Sequence, residues 1–136
     1  MTAPELFMLT RPDVQRIEDV ARKAEEDGWD GLALTDSQNL SPDTYVALTL
    51  AARATQRITL GPGVTNPLTR HAAVAAGAIA SIHQLSGGRA MLGIGRGDSA
   101  LFNIGPRVDR HGEAAEKAIE HFVQQVMPGL RSGESA

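Results

Sequence analysis

The apolar positions of this chain change period several times. Glu5 to Leu9 is a short apolar run ended by Thr10-Arg11-Pro12, which predicts a strand. From Pro12 the spacing turns helical: Val14, Ile17, Val20, Ala21 and Ala24 fall on one face, Thr10 or Arg11 is the expected cap, and Gly28 is the stop. Gly31 to Thr35 predicts a second buried strand. Ser41-Pro42-Asp43 predicts a helix start, with Ser41 as cap and Pro42 in the first turn; the helix carries Tyr45, Val46, Leu48 and Ala52. Arg57 to Leu60 predicts the third strand, and Gly61-Pro62-Gly63-Val64-Thr65-Asn66-Pro67 a loop. An Ala-rich helix from Arg70 to Leu85 follows, whose small side chains predict close packing, and Ser86-Gly87-Gly88 ends it. Arg89 to Ile94 predicts the fourth strand. Ala115, Ala118, Ile119, Phe122, Val123 and Val126 predict a last helix before Pro128-Gly129.

Strand and helix thus alternate four times, at roughly 30 residues per unit, the size of a βαβ module. Strands that are apolar throughout predict a parallel sheet covered by helices. The expected fold is α/β, with four βα units in residues 1–127 and a tail at 128–136. Two architectures accommodate it: an open doubly wound sheet, or half of an eight-unit barrel. Both place their sites at the carboxyl ends of the strands, which directs attention to the loops beginning at Thr35, Gly61 and Gly95.

Composition narrows the classes. The 136 residues are 42% hydrophobic and 21% charged, with a net charge of −3, which fits a globular domain and offers no basic footprint for nucleic acid or an anionic membrane. No apolar run approaches the roughly 20 residues that span a bilayer, and the N-terminus lacks a secretory pattern. There is no cysteine, hence no disulfide or thiolate chemistry. The expected compartment is the cytoplasm.

Each of the three loops has a bland and a chemical reading. Asp36, Ser37, Gln38 and Asn39 could form only a turn, or could recognise hydroxyls or the edge of a heterocycle. In the second loop, Gly61 and Gly63 allow positive φ and close backbone approach to a flat ligand, or a plain bulge. Thr69-Arg70-His71, opening the next helix, would suit an anion. In Gly93-Ile94-Gly95-Arg96-Gly97-Asp98-Ser99, Arg96-Gly97-Asp98 matches an adhesion tripeptide, but that use requires an extracellular loop. A dinucleotide fingerprint fails because its last glycine is replaced by Asp98, and a P-loop fails because no Gly-Lys-Ser/Thr is present. The four histidines, at 71, 83, 111 and 121, lack metal-ligand spacing. No metal is expected.

Three segments carry a resemblance: GWDGLALTDSQNLSPDTYVALTLAARAT, RITLGPGVTNPLTRH and LSGGRAMLGIGRGDSAL, in order at consecutive strand–helix junctions. Together they resemble the luciferase-like monooxygenase superfamily, in particular its deazaflavin-dependent branch related to methylenetetrahydromethanopterin reductase. The resemblance implies a (β/α)8 TIM barrel, of which four units match the N-terminal half. It implies FMN or a deazaflavin coenzyme of the F420 type, and hydride transfer between the ring and an organic substrate. It implies a non-prolyl cis peptide between Gly63 and Val64, forming a bulge behind the ring. By position it carries over Asp36, Gly63, Val64, Thr65, Asn66, Gly95, Arg96, Gly97 and Ser99 as cofactor-binding and Asp98 as the catalytic carboxylate. Two positions depart from the family pattern: Ala72 stands where a proline is usual, and Ser37 where some relatives have histidine. Four units in place of eight imply either a fragment of a longer protein or a truncated relative whose open sheet edges are covered by a second copy or a complementing half-barrel. A non-catalytic half-barrel, serving assembly or ligand binding, is the alternative reading.

Overall fold

The computed structural model describes residues 5–38 and 40–96. Within them β1 (Phe7–Thr10), β2 (Gly31–Leu34) and β3 (Thr59–Pro62) form a parallel sheet in the order β1-β2-β3. Helices α1 (Ile17–Glu26), α2 (Thr44–Ala54) and α3 (Ala72–Leu85) alternate with them. Phe7 stands beside Gly31 and Gly31 beside Thr59, while Thr10, Leu34 and Pro62 end level, so the carboxyl ends share one rim. The expected fourth strand consists of two isolated parallel bridges, Leu60 with Ala90 and Thr65 with Ile94. The last helix expected around Ala115 to Val126 and the tail at 128–136 lie outside the described residues.

Strand pleating sends alternate side chains to opposite faces. Leu32, Leu34 and Leu60 bury completely in a core shared with Ile17, Ala21, Ala24, Ala47, Leu48, Ala51, Ile79 and Ile82. Phe7 and Leu9 lie on the other face, and Leu9 stays 60% exposed. Within α3 only Ala75, Ile79 and Ile82 bury, so the close packing expected from its alanine content applies to one stripe.

Four boundaries differ from expectation, each for a local reason. Helix α1 starts at Ile17, not Pro12: the Asp13 carbonyl accepts the N–H groups of Arg16 and Ile17, its side chain accepts Gln15 N–H, and residues 13–16 form a turn. Val14 therefore falls outside the helix. Helix α2 is capped by Asp43, whose Oδ1 accepts the N–H groups of Tyr45 and Val46 at 2.9 and 3.1 Å, whereas Ser41 donates its hydroxyl to the Ser37 carbonyl. Helix α3 begins at Ala72 with His71 as cap, its Nδ1 accepting Ala73 N–H. Strand β3 begins at Thr59, not Arg57, because residues 56–58 are committed to Glu25.

That commitment is one half of a clamp. The Glu25 carboxylate accepts the backbone N–H groups of Gln56, Arg57 and Ile58, and the Arg57 guanidinium donates back to the Glu25 carbonyl. From the other side the Arg89 guanidinium donates to the carbonyls of Ala52, Thr55, Ile58 and Ser86, and to the Thr55 hydroxyl, all at 2.8–3.0 Å. The carbonyls that end α2 and the N–H groups that precede β3 are thus both satisfied by one side chain each. Burial lowers the Arg89 pKa, opposed by the charge of Glu25.

Replacing Arg89 with Met strips the donors from buried carbonyls and is expected to cost about 1–3 kcal/mol, read as a lower urea midpoint. Acid should weaken the other half. Burial raises the Glu25 pKa, but three backbone N–H bonds and the Arg57 charge outweigh it, so the carboxyl is held below its ordinary value. A depressed carboxylate contributes stability that is full above the ordinary value and lost as pH falls through the folded one. The urea midpoint should therefore drop from about pH 5 to pH 3, and Glu25→Gln should flatten that drop; an equally steep drop in the variant would assign it elsewhere.

Candidate functional site

The strand ends deliver three loops to one rim, and hydrogen bonds join them. Asp36, just beyond β2, accepts the Thr65 hydroxyl on Oδ2 at 2.6 Å and the Gln38 amide on Oδ1 at 2.9 Å. Thr65 N–H in turn donates to the Gly93 carbonyl at 2.9 Å, and Gly95 N–H donates to the Thr65 carbonyl at 3.0 Å. Asn66 donates its amide to the Arg96 carbonyl at 2.6 Å, while its Oδ1 accepts Leu68 N–H at 2.8 Å. Thr65 and Asn66 are both 2% exposed, so these contacts lie inside the fold. A buried polar side chain placed in this way has its hydrogen-bonding capacity directed to holding loops together.

A bulge aims the second loop. Thr65 lies five positions after Leu60, but its partner Ile94 lies only four positions after Ala90, the partner of Leu60. One extra residue is therefore inserted on the β3 side. Gly63 N–H still donates to the Leu34 carbonyl of β2 at 2.8 Å, whereas Thr65 N–H has turned to Gly93, which brackets the insertion at Gly63-Val64. The peptide between these two residues is cis.

The glycines of the rim act differently from the sequence expectation. Neither Gly63 nor Gly95 has a positive φ; among the described residues that conformation occurs at Gly28, Gly87 and Gly88. A Cβ on Gly63 would stand 2.9 Å from Ala33 Cβ, and one on Gly95 would stand 3.1 Å from Val64 Cγ2. On their side-chain sides, then, these glycines admit neighbouring protein, and Val64 covers the one at 95. Val64 itself remains 37% exposed.

Asp36, Gly63, Val64, Thr65, Asn66, Gly95 and Arg96 are therefore brought together. Gly97, Asp98 and Ser99 lie outside the described residues. The anion site expected at the start of α3 is not free. Arg70 donates to Asp43 Oδ2 at 2.6 Å and its guanidinium stacks over the Tyr45 ring at 4.5 Å, so the cation is already neutralised. Burial raises the Asp43 pKa, but the Arg70 contact and two backbone N–H groups outweigh it and hold the carboxyl below its ordinary range.

Two supports were not legible as such in the sequence. Thr44, fully buried at the start of α2, donates its hydroxyl to the Thr35 carbonyl at 2.6 Å, fixing the chain just before Asp36. Tyr45 reads in sequence as helix core; it is 6% exposed, and its hydroxyl is buried with no hydrogen-bond partner among the described residues. The available signal was chemical: a phenol on an otherwise apolar helix face, ten residues after the strand-end threonine.

Comparison with known proteins agrees with this geometry. The luciferase-like monooxygenase family model matches residues 2–126. A 5,10-methylenetetrahydromethanopterin reductase of Methanolobus tindarius is 47% identical over 90 residues, 66% of this chain and 27% of that protein. A solved coenzyme F420-dependent tetrahydromethanopterin reductase from Methanopyrus kandleri superimposes with a TM-score of 0.68 at 38% identity, over 73% of this chain and 29% of that one. The FMN-bound oxygenating constituent of 3,6-diketocamphane monooxygenase from Pseudomonas putida gives 0.73 at 20% identity, over 89% and 38%, which establishes a common fold. The chain spans between about a quarter and a little over a third of the length of the curated relatives it matches. These neighbours are luciferase-like barrel enzymes, and the parallel βα units described here are part of such a barrel. With a family match that extends over every described residue, the chain belongs to the luciferase-like monooxygenases.

Proposed function

We propose that these βα units form the ring-side wall of a deazaflavin- or flavin-dependent oxidoreductase, which transfers hydride between the cofactor ring and an organic substrate. The observation that carries this reading is the joining of three strand-end loops at one rim through Asp36, Thr65 and Asn66. The relatives' dependence on coenzyme F420 supports the deazaflavin, and the FMN-bound neighbour keeps FMN as the second candidate.

The donor set fits a planar heterocycle. Such a ring presents an edge of N–H and carbonyl groups and two apolar faces. The rim offers a carboxylate and a primary amide from Asp36 and Gln38, and the part-exposed isopropyl group of Val64 beside main chain at Gly95. When bound, the ring supplies hydride or oxygen chemistry. Asp36 orients it by accepting a hydrogen bond, and the Thr65 hydroxyl fixes the carboxylate that does so. Arg96, Gly97 and Ser99 are carried over from the family pattern as further cofactor-binding positions, and Asp98 as the carboxylate that would hold or release the proton accompanying hydride transfer.

Asp36→Asn keeps the shape but removes the charge. It should weaken cofactor binding by about tenfold or more, the value of a hydrogen bond to a charged group, measured by fluorescence titration with F420 and with FMN. Unchanged binding of both, or no binding of either by the wild type, would remove the reading. Asp98→Asn should lower turnover with little change in cofactor affinity.

A second reading concerns assembly. Leu6 and Leu9 are 58% and 60% exposed, and β1 pairs on one side only among the described residues. An apolar, unpaired edge favours a second copy or a complementing half-barrel. Sedimentation should report a species larger than the monomer, and Leu9→Lys should shift it toward the monomer.

A further inference from the structure

The sheet face turned away from the helices carries only small residues on its middle strand. Register places Phe7, Gly31 and Thr59 in one row across that face, and Leu9, Ala33 and Gly61 in the next. Gly63 continues β3 above them. Strand β1 supplies the bulk that these positions lack. The Phe7 ring occupies the space where a Cβ on Gly31 would stand, and Met91 covers Gly61 in the same way. Higher up, Leu9 Cδ1 lies 3.4 Å from where a Cβ on Gly63 would be, and Ala33 lies beneath at 2.9 Å. Leu9 thus reaches across β2 and touches the bulge.

A single exposed leucine on a protein surface is ordinary. This one is placed where the main chain is bare. Sheet order brings Leu9 to Gly63 from the β1 side, while the next residue of the bulge, Val64, faces Gly95 on the opposite side. Both side chains keep an open surface, Leu9 more than Val64. The Gly63-Val64 peptide therefore has an exposed aliphatic group on each flank, and the hydrogen-bonded pair Asp36 and Thr65 stands at its polar edge. We propose that Leu9 is a specificity-determining contact of this rim, whose isobutyl group packs on the flat face of the ring. The inference rests on the proposed ring site. Asp36 and Gln38 take the polar edge of the heterocycle, and Leu9 with Val64 takes its apolar face. The length of side chain 9 then sets how closely a ring approaches the bulge.

Leu9→Ala removes the contact and should move the urea midpoint little, because more than half of the side chain is open in the fold. It should weaken binding of F420 and of FMN about three- to tenfold, the effect of losing part of a leucine's apolar burial. Lumiflavin, which has the ring without the ribityl phosphate, should lose affinity by the same factor as FMN. Leu9→Met, of similar volume, should restore most of the binding. Wild-type affinity in Leu9→Ala overturns the proposal, and so does a loss seen with FMN but absent with lumiflavin, which would place the contact on the tail.

Methyl NMR of leucine-labelled protein separates this result from failure of the ring site. The current of an aromatic ring shields a methyl group lying over its face and deshields one at its edge, and Leu9→Ala identifies the Leu9 signals. Addition of F420 or FMN should move those signals upfield as fluorescence reports binding. Binding that leaves them in place, or moves them downfield, overturns the role of Leu9 and leaves the ring site standing. If the wild type binds neither ring, the ring site falls and the Leu9 contact with it. Signals that follow protein concentration and not the ring assign the side chain to an interface between copies, which also overturns the proposal.

Discussion

The turn between α2 and β3 is the constraint on which the remainder depends. A parallel strand cannot be reached by a hairpin, so each crossover must end one helix and start one strand with backbone groups that neither element satisfies. Here Glu25 takes the three N–H groups of residues 56–58 and Arg89 takes the carbonyls of Ala52, Thr55 and Ile58. The two side chains come from opposite directions along the sequence, one from α1 and one from the segment after α3. They therefore fix the α2–β3 turn and tie three successive βα units at their lower ends.

Arg89 does this at the point where its own carbonyl accepts Leu60 N–H, which begins the pairing of residues 89–95 with β3. From there the ladder runs upward through Met91 and Gly93 to the bulge at Gly63-Val64, and ends on Thr65 and Gly95. The register chosen at the bottom is the register delivered at the rim. Because successive strand residues face opposite ways, the inserted residue reverses which face the following side chains occupy. Thr65 thereby turns toward Asp36 while Val64 faces the glycine at 95.

Much of the fold was legible because it rests on local chemistry. Leu32 and Leu34 within an apolar run, and the breaks at Gly28 and Ser86-Gly87-Gly88, marked elements that the structure contains. The helix starts were less legible. Pro12, Ser41 and Arg70 all carry start signals, but Asp13, Asp43 and His71 supply the actual turn or cap, since several adjacent residues could satisfy the same backbone groups and tertiary contacts choose among them. Ser41 is drawn to the Ser37 carbonyl and Arg70 to Asp43, contacts that sequence spacing does not reveal.

By itself the sequence determined the alternation of strand and helix, the three polar loops at strand ends, and the family to which those loops belong. These depend on period, turn chemistry and residue order, all of which are written along one dimension. Only the tertiary structure decided that the rim glycines are filled by protein on their side-chain sides and that Arg70 is spent on Asp43 and Tyr45. Each of these is a contact across separate βα units, and its existence follows from register and packing, quantities that no single segment encodes.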